Sequence, residues 1–132
     1  MLTLKTKNRE IVDLFNGLQS VQDLQGVKFG LVVSKNVRII QQELSDIEEA
    51  SKPSKEFIEL SKKVNSLNDE KEKIEELEKE NEKIITSRRN QLEEVESLLE
   101  EIIEIQLHSV KEDILPENIT AAQITAIDKL IE

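Results

Sequence analysis

Residues 57 to 102 hold one heptad register for almost seven repeats. Stepping by three and four from Phe57, the seam positions are Phe57, Leu60, Val64, Leu67, Lys71, Ile74, Glu78, Asn81, Ile85, Arg88, Leu92, Val95, Leu99 and Ile102. Ten of these fourteen are apolar. A stripe of this kind predicts a helix that needs a second helix to bury it. Upstream, Val33, Val37, Ile40, Leu44 and Ile47 recur at spacings of four, three, four and three, with Arg38, Gln41, Gln42, Asp46 and Glu49 on the polar side. This predicts an amphipathic helix whose first turns include the apolar run Phe29 to Val33.

The two stretches are out of phase by one residue across Ser51-Lys52-Pro53-Ser54. Proline is tolerated in a first helical turn but not deep in a helix, so a kink or break is expected there, with Ser51 as N-cap. Residues 68–83 are almost wholly charged and admit two readings. One is an unbroken helix from 55 to about 101, roughly 70 Å long at about 1.5 Å per residue; the unbroken register across 67–74 favours it. The other is a hairpin turning near Asn68-Asp69, with Asp69 and Glu72 as an acidic capping box, giving arms of nearly equal length over 31–66 and 70–103.

The two ends of the chain follow other periods. Leu2 and Leu4 alternate with polar residues, which predicts a short strand within 1–7. Asn8 is the expected N-cap of a helix from Arg9 to about Asp23, with Ile11, Leu14, Phe15, Leu18 and Val21 on its apolar face. Gly17 inside it costs about 1 kcal/mol of helix propensity relative to Ala, and Gly26 turns the chain. Ile103 to His108 alternates and predicts a second strand, able to pair with Leu2–Lys5. A lone two-stranded pair is marginal and needs a helix packed on it. Near the end, Thr120 and Gln123 form a capping box, with Ile119 and Ile124 at the staple positions. A helix from Ala121 to Ile131 is predicted, with Ile124, Ile127, Leu130 and Ile131 inward. It is too short to stand alone and must dock on other elements.

The expected fold is therefore mainly α. A long helical hairpin or coiled-coil arm (31–102) joins a small base built from the N-terminal segment (1–30) and the C-terminal strand and docking helix (103–132), with room for a two-stranded β pair. Helix content is expected at roughly 65–80%, well above the soluble-protein average.

Composition sharpens this. The chain of 132 residues has three Phe and no Trp or Tyr, so Leu, Ile and Val must supply its buried area. It has no Cys, which excludes disulfides, thiolate metal sites and cysteine nucleophiles. No apolar run reaches membrane-spanning length and the first residues do not resemble a signal peptide, so a non-membrane, intracellular setting is expected. Residues 1–40 carry six basic and three acidic residues, a net of +3, and the remainder carries twelve basic and twenty-five acidic, giving −10 overall. That field repels nucleic acid unless a local patch overcomes it, and it leaves acidic mimicry of DNA as a minor option.

Little in the chain points to catalysis. The only His is His108, on an expected strand, with no Cys nearby to activate. Glu104 lies four residues before it, but the alternating pattern argues against the helical spacing a metal site would want. Gly26 and Gly30 are isolated, so there is no phosphate loop. Paired carboxylates such as Glu75-Glu76, Glu93-Glu94 and Glu100-Glu101 read as solvated helix surface. No catalytic, cofactor or metal residue is assigned, and the chain is expected not to be an enzyme. One small basic group stands out: Lys35 and Arg38 share a helix face, with Lys28 nearby, and could hold an anionic ligand or simply pair with Glu43 or Asp46. At the seam, Lys71, Glu78, Asn81 and Arg88 either fix register and partner number or face water.

The order of pieces resembles a family of short tailed-bacteriophage proteins of unknown function. The matching segments are Ile11-Val12-Asp13-Leu14-Phe15-Asn16-Gly17-Leu18, the hydrophobic segment Phe29 to Asn36 ending in Lys-Asn, Glu43, Ile103 to Val110, and Leu115-Pro116-Glu117-Asn118-Ile119-Thr120 with the helix after it. They span about half the chain; the middle, 51–100, is longer and more coiled-coil-like than the family pattern. The resemblance implies a phage product made in the bacterial cytoplasm, or carried on the virion, and brings no activity with it. The expected function is assembly by oligomerisation and protein–protein binding. Phe57, Leu60, Val64, Leu67, Ile85, Leu92, Val95, Leu99 and Ile102 would carry the seam, and Ile119, Ile124, Ile127 and Leu130 the docking face. Two alternatives are an antagonist of a host antiviral defence system, binding a host protein or sequestering an anionic nucleotide near Lys28, Lys35 and Arg38, and a DNA-binding regulator.

Overall fold

The computed structural model describes residues 1–68 and 70–132. Helices account for 70% of it, with one two-stranded antiparallel sheet. The elements in order are β1 (Leu2–Lys7), α1 (Asn8–Val21), α2 (Val27–Ser51), α3 (Lys55–Ser66), α4 (Lys71–Glu80), α5 (Glu82–Glu100), β2 (Ile102–Leu107) and α6 (Ala121–Ala126), with single 3-10 turns at Glu112–Ile114 and Asp128–Leu130. The chain divides into two units. The first comprises Met1–Asp46 with Leu99–Glu132, and the second Ile47–Leu98. The expected boundaries at 30/31 and 102/103 fall elsewhere because α2 starts at Val27 and contributes Phe29, Val33 and Ile40 to the first unit's core.

In the first unit, β1 pairs with β2 from Leu2↔Leu107 to Lys7↔Ile102, a longer register than the expected Leu2–Lys5. The alternation puts Leu2, Leu4, Ile103, Ile105 and Leu107 on one face of the sheet. That face joins Ile11, Leu14, Leu18 and Val21 of α1, the buried side of α2, and Val110, Ile127 and Leu130 from the C-terminal segment in one apolar cluster. A lone two-stranded pair is marginal in water, and this cover lets it persist. Asn8 is the first residue of α1 rather than its cap: Lys7 holds the cap position, while Asn8 is buried and its N–H donates to the Glu101 carbonyl at 3.0 Å. The carbonyl just before β2 thus satisfies one of the helix's free first-turn N–H groups.

Gly26 takes φ +133°, a conformation L side chains rarely adopt, and turns the chain between α1 and α2. Gly17 has a different role. A Cβ there would lie 2.6 Å from the Ala126 carbonyl oxygen, so the close approach of α1 and α6 requires the missing side chain. The Thr120–Gln123 capping box forms as predicted, and Gln123 Nε2 also donates to the Ser20 carbonyl at 3.1 Å. The helix it starts is shorter than expected, ending at Ala126 instead of Ile131. The chain unwinds there because Ile131 makes a parallel bridge to Val110: the Val110 N–H donates to Leu130 O at 2.7 Å, and the Glu132 N–H to Val110 O at 2.9 Å.

In the second unit, Pro53 sits in the break between α2 and α3. Ser54, not Ser51, caps α3, its hydroxyl accepting from the Phe57 N–H at 3.2 Å; Ser51 is the last residue of α2 and donates to Glu48 O. The unbroken helix is not formed. α3 stops at Ser66 and Asn68 takes φ +53°, a left-handed conformation that Asn tolerates better than most residues. The hairpin is the architecture. Asp69 lies outside the described residues, and Glu70 precedes α4 without a side-chain cap. A second irregularity at Asn81 (φ −116°, ψ 28°) separates α4 from α5.

Candidate functional site

The second unit pairs its helices within the chain. Phe57, Leu60, Ser61, Val64 and Asn65 of α3 face Glu78 of α4 and Ile85 of α5 across a groove of about 440 Å³. At one end the Arg88 guanidinium lies over the Phe57 ring, 5.6 Å from its centroid. Arg88 Nη1 also donates to Ser51 O at 2.7 Å and to Gln91 Oε1 at 2.9 Å. At the other end stands Glu78, beside Val64 and Asn65. Neither Arg88 nor Glu78 makes an ion pair among the described residues.

Of the expected seam residues, Leu60 is buried and Phe57, Val64, Leu67, Ile85, Val95 and Leu99 are half-buried. Leu92 is 48% exposed, and Ile102 is 64% exposed and lies in β2, not in a helix. The half-buried side of α5 comprises Ile84, Ile85, Arg88, Gln91, Val95, Leu98 and Leu99. The counted register otherwise survives the breaks at Asn68 and Asn81, since Ile85, Arg88, Val95 and Leu99 are all half-buried. Gln91 takes the place expected of Leu92 because its Nε2 donates to both Ala50 O and Lys52 O at 2.7 Å, tying down the open end of α2. Sequence reasoning missed Gln91; the phase slip at Pro53 was its only signal.

The docking face of the C-terminal segment holds in part. Ile127 and Leu130 are fully buried and Ile119 packs against the core, while Ile124, inside α6, is exposed. The deepest polar feature is Asn36. Its side chain is fully buried, Nδ2 donating to the His108 carbonyl at 2.9 Å and Oδ1 accepting from the His108 N–H at 2.7 Å. The amide thus continues the ladder where β2 ends. His108 acts here through its backbone.

The basic group lies on the exposed side of α2. Lys28, Lys35 and Arg38 share that side with Val27, 82% exposed, and Leu31, 53% exposed. None of the three makes an ion pair among the described residues, so the expected partners Glu43 and Asp46 are not engaged. On the sheet's outer face Lys7 Nζ and Arg9 Nε grip Glu100 at 2.8 and 2.9 Å. The hydrogen bond from Lys7, then that from Arg9, holds the Glu100 carboxyl below the usual carboxylate range, and the same contact raises Lys7. Among the described residues no group of three or more His, Asp or Glu is placed to hold a metal ion, and no helix is long and apolar enough to cross a membrane. No protein-family model, curated protein or solved structure matches the chain.

Proposed function

We propose that the chain is a non-enzymatic bacteriophage accessory protein that works by self-association and protein–protein binding, as a structural or assembly factor. The observation that carries this reading is the heptad-spaced face of the hairpin. In a unit of 52 residues, Ile47–Leu98, Leu60 is the one buried apolar side chain among the described residues. Phe57, Val64, Leu67, Ile74, Leu77, Ile84, Ile85 and Val95 are only half covered. Helices bury apolar faces by stacking layers, and two short helices make one layer. A further helical layer supplied from outside completes the pattern.

The segments that carry the resemblance to the phage family, Ile11–Leu18, Phe29–Asn36, Glu43, Ile103–Val110 and Leu115–Thr120, all belong to the first unit. This supports reading the first unit as the shared body and the hairpin as the part that varies with the partner. Light scattering with mass analysis across a concentration series tests the reading: an oligomer at micromolar protein is expected, and a monomer at every concentration contradicts it.

A second reading has one observation in its favour. The unpaired Lys28, Lys35 and Arg38 suit an anionic ligand, as in sequestration of a host nucleotide signal. A thermal shift on adding nucleotide, abolished by Arg38→Ala, is its expected signature; no shift removes it.

A further inference from the structure

The groove of the second unit is apolar in its middle and oppositely charged at its ends. Leu60 and Ser61 of α3 and Ile85 of α5 lie centrally. Arg88, fixed over Phe57, marks one end, and Glu78, beside Val64 and Asn65, marks the other. Ten residues separate the two charges along the chain, about 15 Å of helix, too far for them to pair with each other. Both are without a carboxylate or cationic partner among the described residues.

We propose that this groove is the contact between two copies of the chain, related by a two-fold axis that lies in the plane of the contact and runs across the helices. Such an axis lays α3 antiparallel on α3 of the partner subunit and α5 antiparallel on its counterpart. It reverses the ends of the groove, so Glu78 of each copy meets Arg88 of the other. An axis along the helices would instead gather both Arg88 side chains at one end of the contact and both Glu78 side chains at the other, and like charges brought together in a contact are penalised. The charge order therefore selects one of the two simple face-to-face arrangements. The result is a four-helix layer with isologous contacts, a closed assembly in which one pair of residue types is used twice. Phe57, Leu60, Val64 and Ile85 lose their remaining water contact, which is the driving force; the Glu78–Arg88 pairs set orientation. The proposal rests on the self-association reading above and adds its geometry.

Two experiments on the full chain test it. The protein has no Cys, so a single introduced thiol reports its own surroundings. Ser61, half-buried and central in the groove, lies close to the proposed axis and therefore near its own copy. Ser61→Cys is expected to oxidise to a disulfide-linked dimer at low protein concentration, while Asn90→Cys, on exposed α5 surface, does not. In parallel, the dimer constant is measured by light scattering for Glu78→Arg, Arg88→Glu and the double exchange. Each single change is expected to weaken the dimer by about tenfold or more, and the double exchange to restore it towards the parent value. Glu78 is exposed, so its substitution leaves the hairpin intact; circular dichroism checks Arg88→Glu, and the cross-link stands independently if that variant unfolds. A parent protein that stays monomeric overturns self-association itself. A parent that dimerises, with Ser61→Cys linking no faster than Asn90→Cys, or with the double exchange no tighter than the singles, overturns this geometry and leaves self-association standing.

Discussion

The two units solve the burial problem differently. Of the thirteen buried apolar side chains among the described residues, twelve belong to the first unit and only Leu60 to the second. Charge does not separate them. The first carries eight basic and thirteen acidic residues and the second ten and fifteen, a net of −5 each. The difference is layering. The first unit closes a sheet face, α1, half of α2 and the C-terminal segment around one core, whereas the second, by itself, pairs two lines of helix in a single layer. A sequence stripe states that a face must be covered; how many elements the chain can bring to it decides whether the chain covers it alone.

The sharpest break of that contrast is a pair of truncations. Leu18→Ala opens a cavity in the closed core and is expected to cost about 3–4 kcal/mol, against about 2 kcal/mol for Leu60→Ala, where the surroundings can collapse. Urea unfolding compares them, and equal losses would erase the distinction. Asn36→Ala comes next. It leaves the half-buried His108 N–H and carbonyl without the Asn36 amide and is expected to cost about 2–3 kcal/mol in the same measurement; a change within about 0.5 kcal/mol would mean that water replaces the amide. Gly17→Ala follows, with opposing terms. Alanine gains about 1 kcal/mol of helix propensity, but its Cβ meets the Ala126 carbonyl, and overpacking of that kind costs about 1–3 kcal/mol. Net destabilisation is expected, and a raised melting temperature would contradict the close approach of α1 and α6.

The smallest effect is a pH dependence. Glu100 has its folded pKa lowered by Lys7 and Arg9, so its contribution is present above the ordinary glutamate value, near 4.3, and is lost as pH falls through the folded value. Glu100→Gln should lower stability near neutrality and flatten the profile in that acid range, so that the two proteins converge below the folded value. Thermal melts across the range measure it; parallel profiles for the two proteins would contradict it.

Much of the architecture was legible in the residues. Strict alternation marked β1 and β2, and spacing marked α1, α2 and the hairpin helices. The Thr120–Gln123 box marked the start of α6, because capping is local chemistry that neighbours rarely override. The misses share a cause. Asn8, expected to cap α1, instead bonds the backbone at Glu101, 93 residues on in the chain. α6 ends early to let Ile131 pair with Val110. The seam shifts from Leu92 to Gln91 because α2 offers open carbonyls at Ala50 and Lys52. Each depends on a distant backbone partner that spacing along the chain does not carry. Of the candidate site, the apolar seam over Phe57 to Leu67 was readable from heptads, while the opposed charges at the groove ends needed the turn at Asn68 to bring Glu78 opposite Val64.

Hydrogen–deuterium exchange across a protein concentration series tests the contrast between the units most directly. Amides of α3 and α5 should exchange more slowly as concentration rises and a second copy covers the hairpin, while those of α1 should not change. Exchange in α3 and α5 that is independent of concentration would contradict the claim that this unit is completed from outside the chain.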